Sequence, residues 1–170
     1  MRTDKVYWEF EKFIGEISST EDALWTKELN RIAWNGNPAK FDIRSWTSDH
    51  KSMTRGVTLS DTEMERLYTG YSEWKARGND ITKACKSPKF IVDNGSIEVV
   101  IYDQIASLSD RGGWTRELTV TAWNGGEPKF DVREWSPSHD RMSRGIVLRE
   151  SEANAVCRLY SEYKEKGGAA

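Results

Sequence analysis

Polar and apolar side chains alternate along Lys40-Phe41-Asp42-Ile43-Arg44-Ser45-Trp46, which puts Phe41 and Ile43 on one face of a strand and Lys40, Asp42, Arg44 and Trp46 on the other. A preceding strand is predicted from Trp25 to Trp34, joined to this one by Asn35-Gly36-Asn37-Pro38, a strong hairpin signal. Before it, Tyr7 to Ile17 reads as a first strand, and Arg55 to Leu59 makes a short fourth. Ser60-Asp61-Thr62-Glu63 is then a capping box, because the serine oxygen can accept an orphan amide while the glutamate reaches back to the cap. Met64, Leu67, Tyr68, Tyr71 and Trp74 follow on one helical face.

The whole pattern returns. Trp25-Thr26-Lys27-Glu28-Leu29 recurs as Trp114-Thr115-Arg116-Glu117-Leu118, Ala33 to Gly36 as Ala122 to Gly125, Lys40 to Arg44 as Lys129 to Arg133, and Arg55-Gly56 as Arg144-Gly145. The offset is constant through Gly78 and Gly167, with about two dozen of some 54 positions identical and no gap. Ser96 to Ser107 matches the first strand, and Ala153, Val156, Cys157, Tyr160 and Tyr163 repeat the helical stripe, with Arg149 in place of the capping serine. A period this long implies two copies of a small domain, not a solenoid. The expected fold is therefore α+β: two tandem ββββα repeats, at 1–78 and 90–170, separated by a linker at 79–89. One four-stranded sheet with one helix leaves an apolar face uncovered, so the repeats are expected to pack through their helices as an intramolecular pseudo-dimer, with a higher homo-oligomer left open.

The chain has 170 residues, enough for a real core, of which 37% are hydrophobic and 31% charged. No apolar run approaches the length of a membrane span, and the N-terminal residues lack the build of a signal peptide, so an intracellular (cytoplasmic) protein is expected. Cys85 and Cys157 are read as free thiols, with neither a disulfide framework nor a four-ligand zinc site available. A net charge of −2 excludes a basic field over the whole protein, while 8 tryptophans call for either a core or a stacking surface.

The polar face of the third strand offers a cation, a second cation and an indole in a row, which suits single-stranded nucleic acid: Lys40 and Arg44, with Lys129 and Arg133 in the second copy, follow phosphates. Trp46 and Trp135 offer stacking faces, and Trp34 and Trp123 at the hairpins extend the platform. Arg55 and Arg144, beside glycines, add phosphate contacts, and Lys27 and Arg116 are further candidates, against the alternative of strand-edge defence. The alternative for the tryptophans is that they fill a core; the neighbouring charges favour the surface for the third strand, whereas nothing aims Trp25 and Trp114 outward. Asp42 and Asp131 are expected to orient Arg44 and Arg133, His50 and His139 to be solvated loop residues, and Arg31, whose counterpart is Val120, to lie near a core edge. No nucleophile elbow, phosphate-binding glycine loop or HExxH motif occurs, so no enzyme, catalytic residue, metal, cofactor or small-molecule substrate is expected.

The run Phe41-Asp42-Ile43-Arg44-Ser45-Trp46, a short loop, then Arg55-Gly56-Val57-Thr58-Leu59-Ser60 and a helix resembles the positive cofactor four (transcriptional coactivator p15) family. Trp25 to Asn35 and Trp135 to His139 bring it nearest to the bacterial YdbC-type branch. The resemblance implies curved four-stranded antiparallel sheets followed by a helix, dimeric packing, and sequence-tolerant binding of single-stranded DNA, with RNA as a second ligand. It places stacking at Trp34, Trp46, Trp123 and Trp135, and backbone contacts at Lys40, Arg44, Arg55, Lys129, Arg133 and Arg144. Family members are typically single-repeat and more basic than this chain. Two other readings of the same residues are a protein-interaction or transcription-regulatory module with structural tryptophans, and a carbohydrate-binding surface.

Overall fold

The computed structural model describes residues 5–167. The N-terminal half forms an antiparallel sheet in the order β1 (Trp8–Ser19), β2 (Thr26–Trp34), β3 (Lys40–Trp46) and β4 (Val57–Leu59), followed by α1 (Asp61–Ala76). A short α2 (Ile81–Ala84) leads to a second antiparallel sheet, in the order β5 (Phe90–Asp93), β6 (Glu98–Arg111), β7 (Trp114–Trp123), β8 (Lys129–Trp135) and β9 (Ile146–Leu148), and then to α3 (Glu150–Glu165). The second sheet thus has five strands where four were expected. The added β5 pairs with β6 through Phe90–Ile101 and Val92–Val99.

Local chemistry explains the elements. Asn35 and Gly36 adopt φ of 52° and 76°, a left-handed pair that makes a tight turn, closed by the Asn37 N–H on the Trp34 carbonyl at 2.9 Å, at the start of the β2–β3 connection, and Asn124 and Gly125 repeat it. The chain returns to β3 at Gly56 so closely that a Cβ there would lie 2.1 Å from the Ile43 carbonyl oxygen, so only glycine fits. The capping box forms as the sequence predicts: Glu63 N–H donates to Ser60 Oγ at 3.1 Å, and Ser60 N–H to Glu63 Oε1 at 2.9 Å.

One apolar core joins both halves. Leu29, Phe41, Ile43 and Leu59 from the first sheet meet Leu118, Phe130, Val132 and Leu148 from the second, with the apolar stripes of α1 and α3 between them. Each helix lies mainly on the long strand of the other half, α1 on β6 and α3 on β1. The polar contacts are reciprocal as well: Ser18 Oγ donates to Glu152 and Ser109 Oγ to Glu63, each at 2.7 Å, while the Tyr71 hydroxyl reaches Asn154 and the Tyr160 hydroxyl reaches Glu65. Size compensates across the same contact. A Cβ on Gly70 of α1 would lie 2.5 Å from the Ala106 methyl of β6, and one on Gly15 of β1 would lie 2.5 Å from Leu159 of α3.

Strand pairing corrects the predicted match of the first strand. Trp8 faces Trp34 on β2, and Val99, not Ile97, faces Trp123 on β7. The three register shifts of β1 recur in β6 in the same order. The first strand is therefore two residues out of step with the offset of the rest, because the β6–β7 turn is two residues shorter than the β1–β2 loop, a difference that an ungapped comparison cannot see.

Candidate nucleic-acid interface

On β2 and β3 the residues turned away from the shared core are Glu28, Asn30, Ile32 and Trp34, and Asp42, Arg44 and Trp46, brought side by side by the pairs Glu28–Arg44, Asn30–Asp42 and Thr26–Trp46. Asp42 organises this face. Fully buried, it accepts from the Trp34 indole N–H at 3.2 Å, from Arg44 through Nε at 2.6 Å and a terminal nitrogen at 2.8 Å, and from Thr58 Oγ1 at 3.1 Å. Burial pushes its carboxyl up from the ordinary value, and the bonds from Arg44 oppose the rise. The Arg44 guanidinium, held by that carboxylate, lies over the Trp34 ring at 4.5 Å. The second sheet repeats the arrangement: Trp123 Nε1 donates to Asp131 at 3.1 Å, Arg133 Nε donates at 2.6 Å, and the guanidinium sits 4.3 Å from the Trp123 centroid. Asp131 is likewise shifted upward by burial against the pull of Arg133. Each face thus presents an indole and a cation as one fixed unit, with the expected orienting role of the aspartates visible in the bonds.

Lys40, Arg55 and Arg144 are exposed, and Lys129 is half-buried. A cleft of about 530 Å³ opens beside Trp34, lined by Asn37, Pro38, Lys40 and Thr58. Trp34 and Trp123 are half-buried.

Two expectations are corrected. Trp46 and Trp135 are completely buried, not surface-exposed. Their strand parity is as read, but the face has a small core of its own: Trp8, Phe10 and His50 close over Trp46 with centroids 5.1–5.7 Å away, and Phe90, Val92, Val99 and Ile101 pack with Trp135. Neither indole N–H has a hydrogen-bond partner among the described residues. Lys27 and Arg116 do not lie on the indole face but on the side of Leu29 and Leu118, where they tie each sheet to the start of the other half's helix. Lys27 Nζ pairs with Glu152 at 2.8 Å; Arg116 donates to the Thr58 carbonyl at 2.7 Å and pairs with Glu63 at 3.3 Å. Burial pushes Glu152 up, but hydrogen bonds from Lys27, the Arg149 backbone and Ser18 override it and hold the carboxyl at about 2.

Other residues of the face escaped sequence reasoning. Phe10 and Phe13 of β1 are 36% and 52% exposed, and only the register of β1 reveals that Trp8 and Phe10 stand next to Trp34 and Ile32. The loop histidines are not simply solvated: His50 Nε2 lies 3.0 Å from the buried Glu28 carboxylate, and His139 Nε2 lies 2.7 Å from Glu117. Arg31 lies near the core edge, as its parity with Leu29 implies, paired with Asp61 at 2.8 Å and Glu11 at 3.0 Å. Among the described residues no group of three or more His, Cys, Asp or Glu could hold a metal ion, and no helix is long and apolar enough to cross a membrane.

Comparison with known proteins bears on the same segments. Residues 111–159, which run from the end of β6 through β7, β8 and β9 into α3, match the Transcriptional Coactivator p15 (PC4) family. Over 64 residues, 38% of this chain, the sequence is 39% identical to an uncharacterized protein of Treponema pallidum (strain Nichols), 74% of which is covered. The chain belongs to the same family as that protein.

Proposed function

We propose that this protein is a non-catalytic binder of single-stranded DNA, tolerant of sequence and able to take RNA, acting inside the cell in replication, repair, recombination or transcription. The observation that carries the reading is the indole–arginine–aspartate unit, built twice on corresponding faces, in a chain whose residues 111–159 match a family known for single-stranded DNA binding and transcription coactivation. Trp34 and Trp123 stack bases, while Lys40, Arg44, Arg55, Lys129, Arg133 and Arg144 contact the backbone. Trp46 and Trp135 support this surface from beneath, and Lys27 and Arg116 hold it to the helices.

We further read the chain as a tandem duplication, with units at 1–78 and 90–170, packed as an intramolecular pseudo-dimer of ββββα units. The shared core, the reciprocal bonds Ser18–Glu152 and Ser109–Glu63, and the matching register shifts support this reading, since a two-fold interface has each residue repeat its partner's contact. A second reading, a protein-interaction or transcription-regulatory module, draws on the burial of Trp46 and Trp135, which makes those two tryptophans structural.

Titration with oligo-dT and with a duplex of the same length, at two salt concentrations, separates the two readings. Saturable binding of oligo-dT with a shallow salt slope is expected, because stacking carries much of the affinity and few phosphates are neutralised. Equal or stronger binding of the duplex overturns the single-strand reading, and no binding of either at low salt favours the interaction module.

A further inference from the structure

A cleft of about 480 Å³ lies beyond the indole–arginine units themselves, where the β1–β2 loop meets β9 and the start of α3. Its walls include Trp25, Lys27 and Ser45 from the N-terminal half and Lys129, Val147 and Arg149 from the C-terminal half. Lys129 pairs with Thr121 and Val147 with Asp131, so both belong to the polar face of the second sheet. The cleft therefore continues that face over its β9 edge and onto the other half. We infer that it is a further nucleic-acid site, which takes the sugar-phosphate of a single strand running off the C-terminal face, with Lys129 and Arg149 on phosphates and one base against Trp25. The inference rests on the single-strand reading above.

Three features point to it. Arg149 stands where Ser60 caps α1, a position where arginine forfeits the side-chain acceptor and sets a cation at the positive end of the helix. Its side chain is 62% exposed, with Glu152 at 3.3 Å as its carboxylate contact among the described residues. The ion pair with Glu152 does not replace the lost cap, and a broken local rule of this kind points to function. Second, the equivalent seam on the other side is filled: Arg116 spans Thr58, Glu63 and Glu134, whereas Lys27 pairs with Glu152 and Ser45 stands in the place of Glu134. Third, the β1–β2 loop is pinned at Trp25, whose half-buried indole lines the cleft. Thr20 N–H donates to the Trp25 carbonyl at 2.9 Å and Thr20 Oγ1 to Asp22 at 2.6 Å, while the counterpart Trp114 has Arg141 over its ring at 5.8 Å.

The test measures the affinity of the full chain for oligo-dT of increasing length, in the wild type, Arg149→Ser and Trp25→Ala. Oligonucleotides short enough to fill one face should bind all three proteins alike. Once the strand is long enough to cross the β9 edge, both variants should bind roughly tenfold more weakly, and Arg149→Ser should flatten the salt slope by about one. Arg149→Ser should unfold no earlier than wild type, because it restores a serine cap, so its loss of affinity cannot be read as misfolding. Variants that match wild type at every length, or that lose affinity equally at all lengths, overturn this site while leaving the single-strand reading standing. A wild type that binds no oligonucleotide of any length overturns both.

Discussion

On the N-terminal sheet, β1 is the edge strand, and Phe10 meets His50 edge-on at 5.3 Å while staying 36% exposed. On the C-terminal sheet, β5 adds a further strand, Phe90 lies flat on His139 with centroids 4.5 Å apart, and Lys89 pairs with Asp103 at 3.0 Å. Beneath these covers the two floors share the bonds from the indole N–H and the arginine Nε to the aspartate and a buried tryptophan, although Asp42 also accepts from the Arg44 terminal nitrogen and from Thr58, where Val147 stands in the second half. The halves thus share the residues that build the surface and differ in those that set access to it. Binding by this chain is expected to be unequal between its faces, with the N-terminal face the more open.

The largest effect should come where the halves are identical. Gly56→Ala and Gly145→Ala would each drive a Cβ to 2.1 Å from a β3 or β8 carbonyl oxygen, so both should destabilise by about 3 kcal/mol or more, and by similar amounts, in denaturant unfolding. Unequal costs would show that the halves do not unfold as one unit. Next, Trp34→Ala should weaken oligo-dT binding by about 2 kcal/mol, and Trp123→Ala by less than half of that, as read in equilibrium titrations. The reverse order would contradict the account of access.

Acid should loosen the seam between the halves. Glu152 and Glu63 both have folded values below the ordinary carboxylate range, so the stability they contribute is present above the unfolded value of about 4.5 and is lost as pH falls through the folded values, about 2 for Glu152. Asp42 and Asp131, shifted upward, act in the opposite sense. Lys27→Met should remove about 1–2 kcal/mol at neutral pH after allowance for solvent screening, and should flatten the acid limb of the stability profile. The smallest effect is expected from Phe90→Ala, which uncovers His139 and should narrow the gap between Trp34→Ala and Trp123→Ala without abolishing it. An unchanged gap would show that β5 does not limit the second face.

Much of this fold is legible in the sequence because its signals are local. Strand parity in Lys40 to Trp46, the Asn35-Gly36 turn and the Ser60–Glu63 box each specify their element within a few residues. The site is legible only in part. The alternation puts Asp42, Arg44 and Trp46 on one face of β3, and strand pairing brings Trp34 to the same face, but parity reports which face a residue joins and not what closes over it. The burial of Trp46 depends on Trp8 and Phe10, whose placement is set by register shifts in β1 that leave no periodic trace. Lys27 looked like a phosphate contact because its partner Glu152 is distant in sequence and belongs to the other half. The β5 strand opens the expected second repeat, in a stretch where no repeated motif draws attention to it.

In the proposed reading, the half-buried indole–arginine unit of the N-terminal half is the principal single-strand contact. Its most direct test is a tryptophan-fluorescence titration with oligo-dT, in the wild type and in Trp34→Ala. The account predicts saturable quenching in the wild type, none with a duplex, and loss of most of the quenching together with most of the affinity in Trp34→Ala. Quenching and affinity that survive Trp34→Ala unchanged would contradict it.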